Sequence, residues 1–271
     1  MIKSGEINKI ANQNALRDTQ IEKDYILGWI LYGISKNDTL DKLLVFKGGT
    51  AIRKLYINNY RLSEDLDFTI SEGKINMEQL KTEFKNVIDW VKNESRMELE
   101  IRDENLNTKG NYSFYIGYVG PLGGDITKRD IKVDISDSEI LCDEIVNRTA
   151  LNEYSDLSEE YSLKSYSINE IIAEKLRSLM QRTVPRDLYD IWYLLEIEQN
   201  DLESCIEFFK KKAEYKDKDP AKFYETISAK EEKFKAEWKK SLEKQFKEIP
   251  DFEKIWRESL RHFKKISKQL N

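Results

Sequence analysis

The fold of this chain is decided by one stretch, residues 44–70, which reads LVFKGGTAIRKLYINNYRLSEDLDFTI. The pattern predicts an apolar strand that ends at Gly48–Thr50, a short helix, and a second strand that carries Asp65 and Asp67. Residues two apart on a strand project to the same face, so these carboxylates lie together while the apolar residues between them enter a core. Crowded like charges need compensation, so either a divalent cation binds them or they form a solvated acidic face.

The glycines of this stretch favour an anion site. A strand followed by a Gly-Gly turn and a helix N-terminus presents free backbone N–H groups, and the helix dipole favours phosphate there. The hydroxyl of Thr50 either binds a phosphate or caps the helix. A Gly-Gly pair also serves any tight bend, so the turn alone leaves a purely structural role open.

Together, the turn and the carboxylates match what nucleotidyl transfer requires. One element holds a triphosphate, and the carboxylates hold metal ions that bridge its oxygens. Magnesium accepts such sparse sites because waters and phosphate oxygens complete its coordination. We therefore expect Mg²⁺ at Asp65 and Asp67.

A third carboxylate, Asp134, lies in the segment 130–136, where polar and apolar residues alternate. Asp134 falls on the polar face of this predicted strand. There it either joins the metal ligands or accepts a proton from an attacking hydroxyl. Alternation by itself also explains Asp134 as an ordinary outward residue of an amphipathic strand.

Four motifs in this order resemble those of the AbiEii and MenT group of nucleotidyltransferase toxins. They are VFKGGTA at 45–51, RLSEDLD at 61–67, EKL at 174–176 and RDLYD at 186–190. The resemblance implies a polymerase-β-like nucleotidyltransferase, the toxin of a bacterial type IV toxin–antitoxin or phage abortive-infection pair with a cognate antitoxin. It also implies a nucleoside triphosphate as substrate, magnesium as cofactor, and an RNA acceptor, with the 3′ end of tRNA as the expected site of transfer.

The resemblance assigns roles by position. It implies that Gly48, Gly49 and Thr50 contact phosphate and that Asp65 and Asp67 bind metal. Ser63 is expected beside the nucleotide, where its phosphorylation or nucleotidylation would add negative charge and silence the enzyme.

Two predicted helices carry the remaining motif residues. Ser167 and Glu170 are typical of a capping box for the first, an amphipathic helix in which Lys175 is either solvated or, by resemblance, in contact with the triphosphate. A proline opens the second, where Asp187 and Asp190 are three apart and share a face. These aspartates form either a structural ion-pair network or one wall of a nucleotide site, and we expect one of them to be functional.

We expect an α+β fold with a nucleotidyltransferase-like lobe over 1–160 and a helical lobe over 161–271. The first lobe should contain a mixed, largely antiparallel sheet and a helix over 19–35 that starts at a Thr19–Glu22 capping box. Another helix is expected from Met77, and further strands are predicted near 97–103, 111–119 and 130–136.

The composition is that of a folded protein. Of 271 residues, 39% are hydrophobic and 35% charged, with no bilayer-length apolar run and no signal peptide, so we expect a cytoplasmic protein without a membrane partner. Cys142 and Cys205 are far apart and lack CxxC spacing, which argues against a zinc site or a disulfide framework. A single histidine, His262, excludes any triad that needs two.

The net charge of −5 does not exclude a nucleic-acid partner, because a binding surface is local. Between residues 239 and 271, ten Lys and Arg against five acids leave +5. Helical spacing predicts a buried stripe of Trp256, Leu260 and Phe263 with the basic residues around the other side. That basic side is either a solvated helix face or a surface that tracks RNA phosphates.

Two other functions stay open on the sequence alone. The same fold could transfer a nucleotide to a protein hydroxyl or a small molecule, or it could be a non-catalytic nucleotide-binding module. The intact pair of Asp65 and Asp67 favours an enzyme.

Overall fold

The computed structural model describes residues 1–71, 75–106 and 111–270. The chain forms two compact units. The first combines Met1–Glu139 with Ile145–Ser165, and the second combines Ile140–Glu144 with Tyr166–Asn271.

The first unit is built on a sheet. Its described strands are β1 (Leu44–Lys47), β2 (Asp65–Ile70), β3 (Glu98–Leu106), β4 (Tyr112–Val119), β5 (Asp130–Ser136), β6 (Val146–Thr149) and β7 (Ser162–Ser165). Their order is β3-β4-β5-β2-β1-β7-β6. The β1/β7 and β2/β5 pairs are parallel and the other four described pairs are antiparallel. The predicted α+β fold with a mixed, largely antiparallel sheet is confirmed.

The first unit also contains helices that pack with this sheet into one core. They are α1 (Ser4–Asn14), α2 (Asp18–Ser35), α3 (Asp38–Leu43), α4 (Gly48–Ala51) and α5 (Met77–Ser95). Phe84 of α5 packs edge-on against Phe114 of β4 at a centroid distance of 4.9 Å, and both belong to one core with α2. Each buried side chain of this size contributes about 1.5–3 kcal/mol, so the strand faces are strongly specified.

The start of α2 differs from the prediction. Its N-cap is Arg17, whose backbone N–H donates to Gln20 Oε1 at 2.9 Å, and Thr19 lies within the first turn. Glu22 is fully buried and its carboxylate pairs with Arg129. The predicted Thr19–Glu22 capping box is therefore wrong, because a tertiary ion pair takes up the carboxylate.

The second unit is helical. Its described helices are α6 (Ile168–Gln181), α7 (Pro185–Trp192), α8 (Glu203–Tyr215), α9 (Phe223–Ser228), α10 (Glu231–Leu242) and α11 (Phe252–Leu270). In α11, Trp256 and Phe263 are buried as predicted, whereas Leu260 is half-buried. No described helix in either unit is both long and apolar enough to cross a membrane.

The N-terminus of α6 confirms half of the predicted capping box. Ser167 Oγ accepts a hydrogen bond from the backbone N–H of Glu170 at 3.0 Å. The Glu170 carboxylate accepts from the backbone N–H groups of Cys142 and Asp143 and pairs with Lys212 at 2.7 Å. Ser167 is therefore the cap, while Glu170 joins α6 to the segment 140–144.

Candidate active site

β1 ends at Lys47, and the Gly48–Thr50 turn forms the start of α4, which continues into a π-helical turn at Ile52–Tyr56. Gly48 has φ +80°, a conformation that glycine adopts without a Cβ penalty. A Cβ on Gly48 would lie 2.5 Å from Asp67 Oδ2, and one on Gly49 would lie 2.7 Å from a guanidinium nitrogen of Arg61. The turn therefore packs so closely against these two side chains that a larger residue does not fit.

Thr50 has a structural contact within this turn. Its side chain is fully buried, and its Oγ1 donates to the backbone carbonyl of Asp65 at 2.5 Å. This hydrogen bond uses the one proton that the Thr50 hydroxyl can donate, and it connects the turn to β2. The backbone N–H groups at the start of α4 are then the donors best suited to a phosphate at this turn.

Strand pairing brings the three predicted carboxylates onto neighbouring positions. Asp65 and Asp67 are half-buried on the polar face of β2. Across the parallel β2/β5 pair, Asp67 lies opposite Asp134 and Asp65 lies opposite Lys132. The residues predicted from alternation thus share one face of the sheet.

Asp134 is held by protein partners. Ser113 Oγ donates to Asp134 Oδ1, and Lys132 Nζ pairs with Asp134 Oδ2, each at 2.5 Å. Burial lowers the pKa of Lys132, but the hydrogen bond to Asp134 and the charges of Asp134 and Asp65 outweigh burial, so the pKa is raised. Lys132 therefore remains a cation and offsets part of the negative charge on this face.

The donor set fits a sparse magnesium site. Within residues 1–71, 75–106 and 111–270, no cluster of three or more His, Cys, Asp and Glu could hold a metal by itself. Two carboxylates suffice for Mg²⁺ when waters and phosphate oxygens supply its other ligands. Because Gly48 has no Cβ, Asp67 Oδ2 can approach the phosphate turn closely, to 2.5 Å from where a Cβ would lie. Asp65 and Asp67 thus fit a cation whose coordination a triphosphate completes.

Sequence reasoning did not single out Arg61 or Lys132 as site residues. Arg61 is buried, donates to the backbone carbonyl of Leu62 at 3.1 Å and faces Gly49. A Cβ on Gly49 would also lie 3.1 Å from Ser63 Oγ, so Ser63 borders the turn. The signal for Lys132 was its two-residue spacing from Asp134 on the same strand face.

In the second unit, Lys175 is buried between Asp187 and Asp190. Its Nζ lies 3.1 Å from Asp187 Oδ1 and 2.7 Å from Asp190 Oδ2. Asp187 Oδ2 also pairs with Arg182 at 2.8 Å, while Asp190 is fully buried. Lys175 is therefore not a solvated surface lysine, and the predicted shared face of the two aspartates is formed.

A π-helical turn follows α4, and another follows α7. The first spans Ile52–Tyr56, and the second spans Tyr193–Ile197. Such turns are rare and occur frequently at functional sites. These two motif segments thus share an uncommon backbone feature.

Comparison with known proteins identifies the family. The family described as nucleotidyl transferase AbiEii toxin, type IV toxin–antitoxin system, matches residues 29–261. JHP933 from Helicobacter pylori is similar in structure, with a TM-score of 0.58, 21% identity and 94% of each chain covered. MenT4, a nucleotidyltransferase toxin from Mycobacterium tuberculosis, has a TM-score of 0.59 at 16% identity and covers 100% of this chain and 98% of its own.

The two structural neighbours show the fold, and the family match shows the enzyme class. A search of the curated proteins finds no match. The family match extends over most of the chain and includes all four motifs. This chain therefore belongs to the AbiEii nucleotidyltransferase toxin family, whose type IV toxin–antitoxin organisation implies a nucleotide substrate and an antitoxin partner.

Proposed function

We propose that this toxin transfers a nucleoside monophosphate from a nucleoside triphosphate to the 3′ hydroxyl of an RNA, with tRNA as the expected acceptor and phage defence as the setting. The observation that carries the proposal is the close packing of the Gly48–Thr50 turn against Asp67, where a Cβ would lie 2.5 Å from Oδ2. An anion-binding turn beside a carboxylate pair is the arrangement that a metal-bound triphosphate requires.

The phosphate turn and the carboxylate pair of the first unit have separate roles in this transfer. The backbone N–H groups of Gly48–Thr50 bind the outer phosphates, and Thr50 positions the turn through its bond to Asp65. Asp65 and Asp67 would hold Mg²⁺, which would neutralise charge on the triphosphate.

Asp134 is placed to act on the acceptor. It lies opposite Asp67 in the parallel strand pair, and Ser113 and Lys132 orient its carboxylate. We assign it the role of accepting the proton of the attacking hydroxyl. The new bond then forms between the acceptor oxygen and the α-phosphorus, while the bond from that phosphorus to the bridging oxygen breaks and pyrophosphate leaves.

In the second unit, the same proposal gives Lys175 the role of stabilising phosphate charge. Asp187 and Asp190 hold its ammonium in one position, at 3.1 and 2.7 Å. Asp187 also pairs with the exposed Arg182, so we expect Asp187 to be the functional aspartate, with Asp190 orienting the lysine.

The test is a transfer reaction with isosteric variants. Purified protein is incubated with bulk tRNA, Mg²⁺ and each labelled nucleoside triphosphate in turn, and the RNA is resolved on a denaturing gel. We expect label in RNA with the wild type. The variants Asp65→Asn and Asp67→Asn should transfer nucleotide to RNA at least about a hundredfold more slowly than the wild type. This is the loss of rate typical when a group that stabilises developing charge is removed.

The matched control is Asp89→Asn, which changes an exposed aspartate of α5 that is 55% accessible. It should label RNA as the wild type does, and circular dichroism should show all variants folded. Full activity of Asp65→Asn would contradict the metal role of this carboxylate. Label that appears on protein or on a small molecule, with none on RNA, would contradict the acceptor.

A further inference from the structure

The polar face of the sheet continues from the candidate site across three more strands. The register places Asp65 opposite Lys132, Lys132 opposite Tyr115, and Tyr115 opposite Arg102. Directly opposed residues in a sheet point to the same side, so these four side chains form one row on β2, β5, β4 and β3. With strands about 4.8 Å apart, Tyr115 stands about 10 Å from β2.

This row presents two planar groups. Tyr115 is half-buried, and within the described part of the chain its ring makes no aromatic contact and its hydroxyl no hydrogen bond. The guanidinium of Arg102 lies flat against Gly117, where a Cβ would overlap three of its atoms. Its Nη2 donates to the backbone carbonyl of Arg129 at 3.3 Å, but its buried Nε has no hydrogen-bond partner among the described residues.

The row lies on one particular side of the carboxylate strand. The strand order puts β1, which leads into the Gly48–Thr50 turn, on one side of β2, and β5, β4 and β3 on the other. In an in-line displacement the attacking oxygen approaches opposite the leaving group. With the outer phosphates bound at the turn, the acceptor hydroxyl must therefore arrive over β5 and β4.

We propose that Arg102, Tyr115 and Lys132 form an acceptor platform that binds the unpaired 3′-terminal nucleotides of the RNA, an inference that rests on the proposed function. Tyrosine rings and arginine planes stack on single-stranded bases, and the two cations offset phosphate charge. Acidic residues on the same face are already near these cations: Asp134 pairs with Lys132, and Asp130 lies 3.9 Å from Arg102. Stacking therefore carries most of the affinity, and it tolerates any base.

The first test measures RNA binding without catalysis. The affinity of a short fluorescein-labelled single-stranded RNA is measured by fluorescence anisotropy in the absence of nucleoside triphosphate. Tyr115→Ala should weaken binding about tenfold, whereas Tyr115→Phe, which keeps the ring, should bind as the wild type does. The matched control is Tyr215→Ala on α8, a tyrosine that is 51% exposed and should be neutral.

The second test separates the acceptor from the triphosphate. Tyr115→Ala should raise KM for the RNA about tenfold and leave KM for the nucleoside triphosphate unchanged. In the wild type, an RNA that ends in photoreactive 4-thiouridine should cross-link to the β4 peptide that contains Tyr115. The cross-link needs no substitution, so it stays decisive if the alanine variant folds poorly.

Two results would overturn the platform. One is an active enzyme whose RNA affinity and RNA KM are the same with and without the Tyr115 ring. The other is a raised KM for the triphosphate alone, which would place the incoming nucleotide on this face. Failure of the proposed function has a different signature: the wild type would transfer nothing to RNA, whatever the binding of the variants.

Discussion

The carboxylate of Asp67 explains why residue 48 is a glycine. Two separate constraints meet there: a φ of +80° and an oxygen 2.5 Å from the position of a Cβ. The first is a property of the backbone and recurs at Gly123, which has φ +66° and nothing within 4 Å of its Cβ position. Comparison of the two glycines therefore separates backbone strain from the contact with the site.

We expect Gly48→Ala to lower transfer activity at least tenfold, because the methyl group would displace the Asp67 carboxylate. Gly123→Ala should keep near-normal activity. Both variants should lose about 1–2 kcal/mol of unfolding free energy from the left-handed backbone. Urea denaturation and the labelled-RNA assay measure the two effects, and equal activity losses in both variants would count against a role for the contact with Asp67.

At the scale of the elements, a buried network around Asp24 of α2 holds the π-helical turn after α4 in place. Arg53 Nε lies 2.7 Å from Asp24 Oδ1, Lys54 Nζ lies 2.6 Å from Asp24 Oδ2, and Tyr154 donates to the same carboxylate. Burial raises the pKa of Asp24, but the charges of Arg53 and Lys54 outweigh burial and hold the pKa well below its usual range. Through this network α2 fixes the helix that carries the phosphate turn.

Asp24→Asn should destabilise the protein by about 3–5 kcal/mol, because it leaves two buried cations without their shared carboxylate. The exposed pair of Asp89 and Lys92 is the control, and Asp89→Asn should cost less than about 1 kcal/mol. The lowered pKa of Asp24 makes its stabilisation complete above the ordinary pKa; the stabilisation declines as the pH falls below that value and is gone below the lowered folded-state pKa. Urea denaturation monitored by tryptophan fluorescence tests the prediction, which a loss no larger than that of the control would contradict.

Over the whole molecule, charge is distributed unevenly. The net charge is −5, yet the exposed side of α11 carries Arg257, Lys264, Lys265 and Lys268. Arg261 on the same helix is already paired with Glu196 at 3.2 Å. A local basic face on an acidic protein suits a polyanionic acceptor, and the salt dependence of binding is its measurable signature.

Replacing three lysines of α11 by glutamate should weaken RNA binding and leave KM for the triphosphate unchanged. If each lysine neutralises one phosphate, the plot of log affinity against log salt concentration should become less steep by about two to three. The substituted residues are Lys264, Lys265 and Lys268. The charge-matched control replaces three lysines of α5, namely Lys81, Lys85 and Lys92. If the salt dependence of RNA affinity is unchanged in the α11 variant, this basic face does not contact RNA and is a solvated helix face.

Much of the site could be predicted from sequence because it follows from local periodicity. Alternation placed Asp65, Asp67 and Asp134 on polar strand faces, and three-residue spacing placed Asp187 and Asp190 on one helix face. The same periodicities located β2, β5, α5 and α6. Each of these features depends on residues within one or two turns or strand steps of one another.

Other features depended on partners far away in the chain. The strands β6 and β7 have four residues each and lack the continuous apolar run that marks β1; β7 pairs with β1 on one side and with β6 on the other.

The sequence by itself determined the apolar faces, the glycine turn and the carboxylate spacing, because these follow from the geometry of a helix or strand. Only the tertiary structure decided that Glu22 binds Arg129, that Thr50 turns its proton to Asp65, and that Lys175 is buried between two aspartates. Those contacts join residues 12 to 107 positions apart, so they form only when the elements pack together.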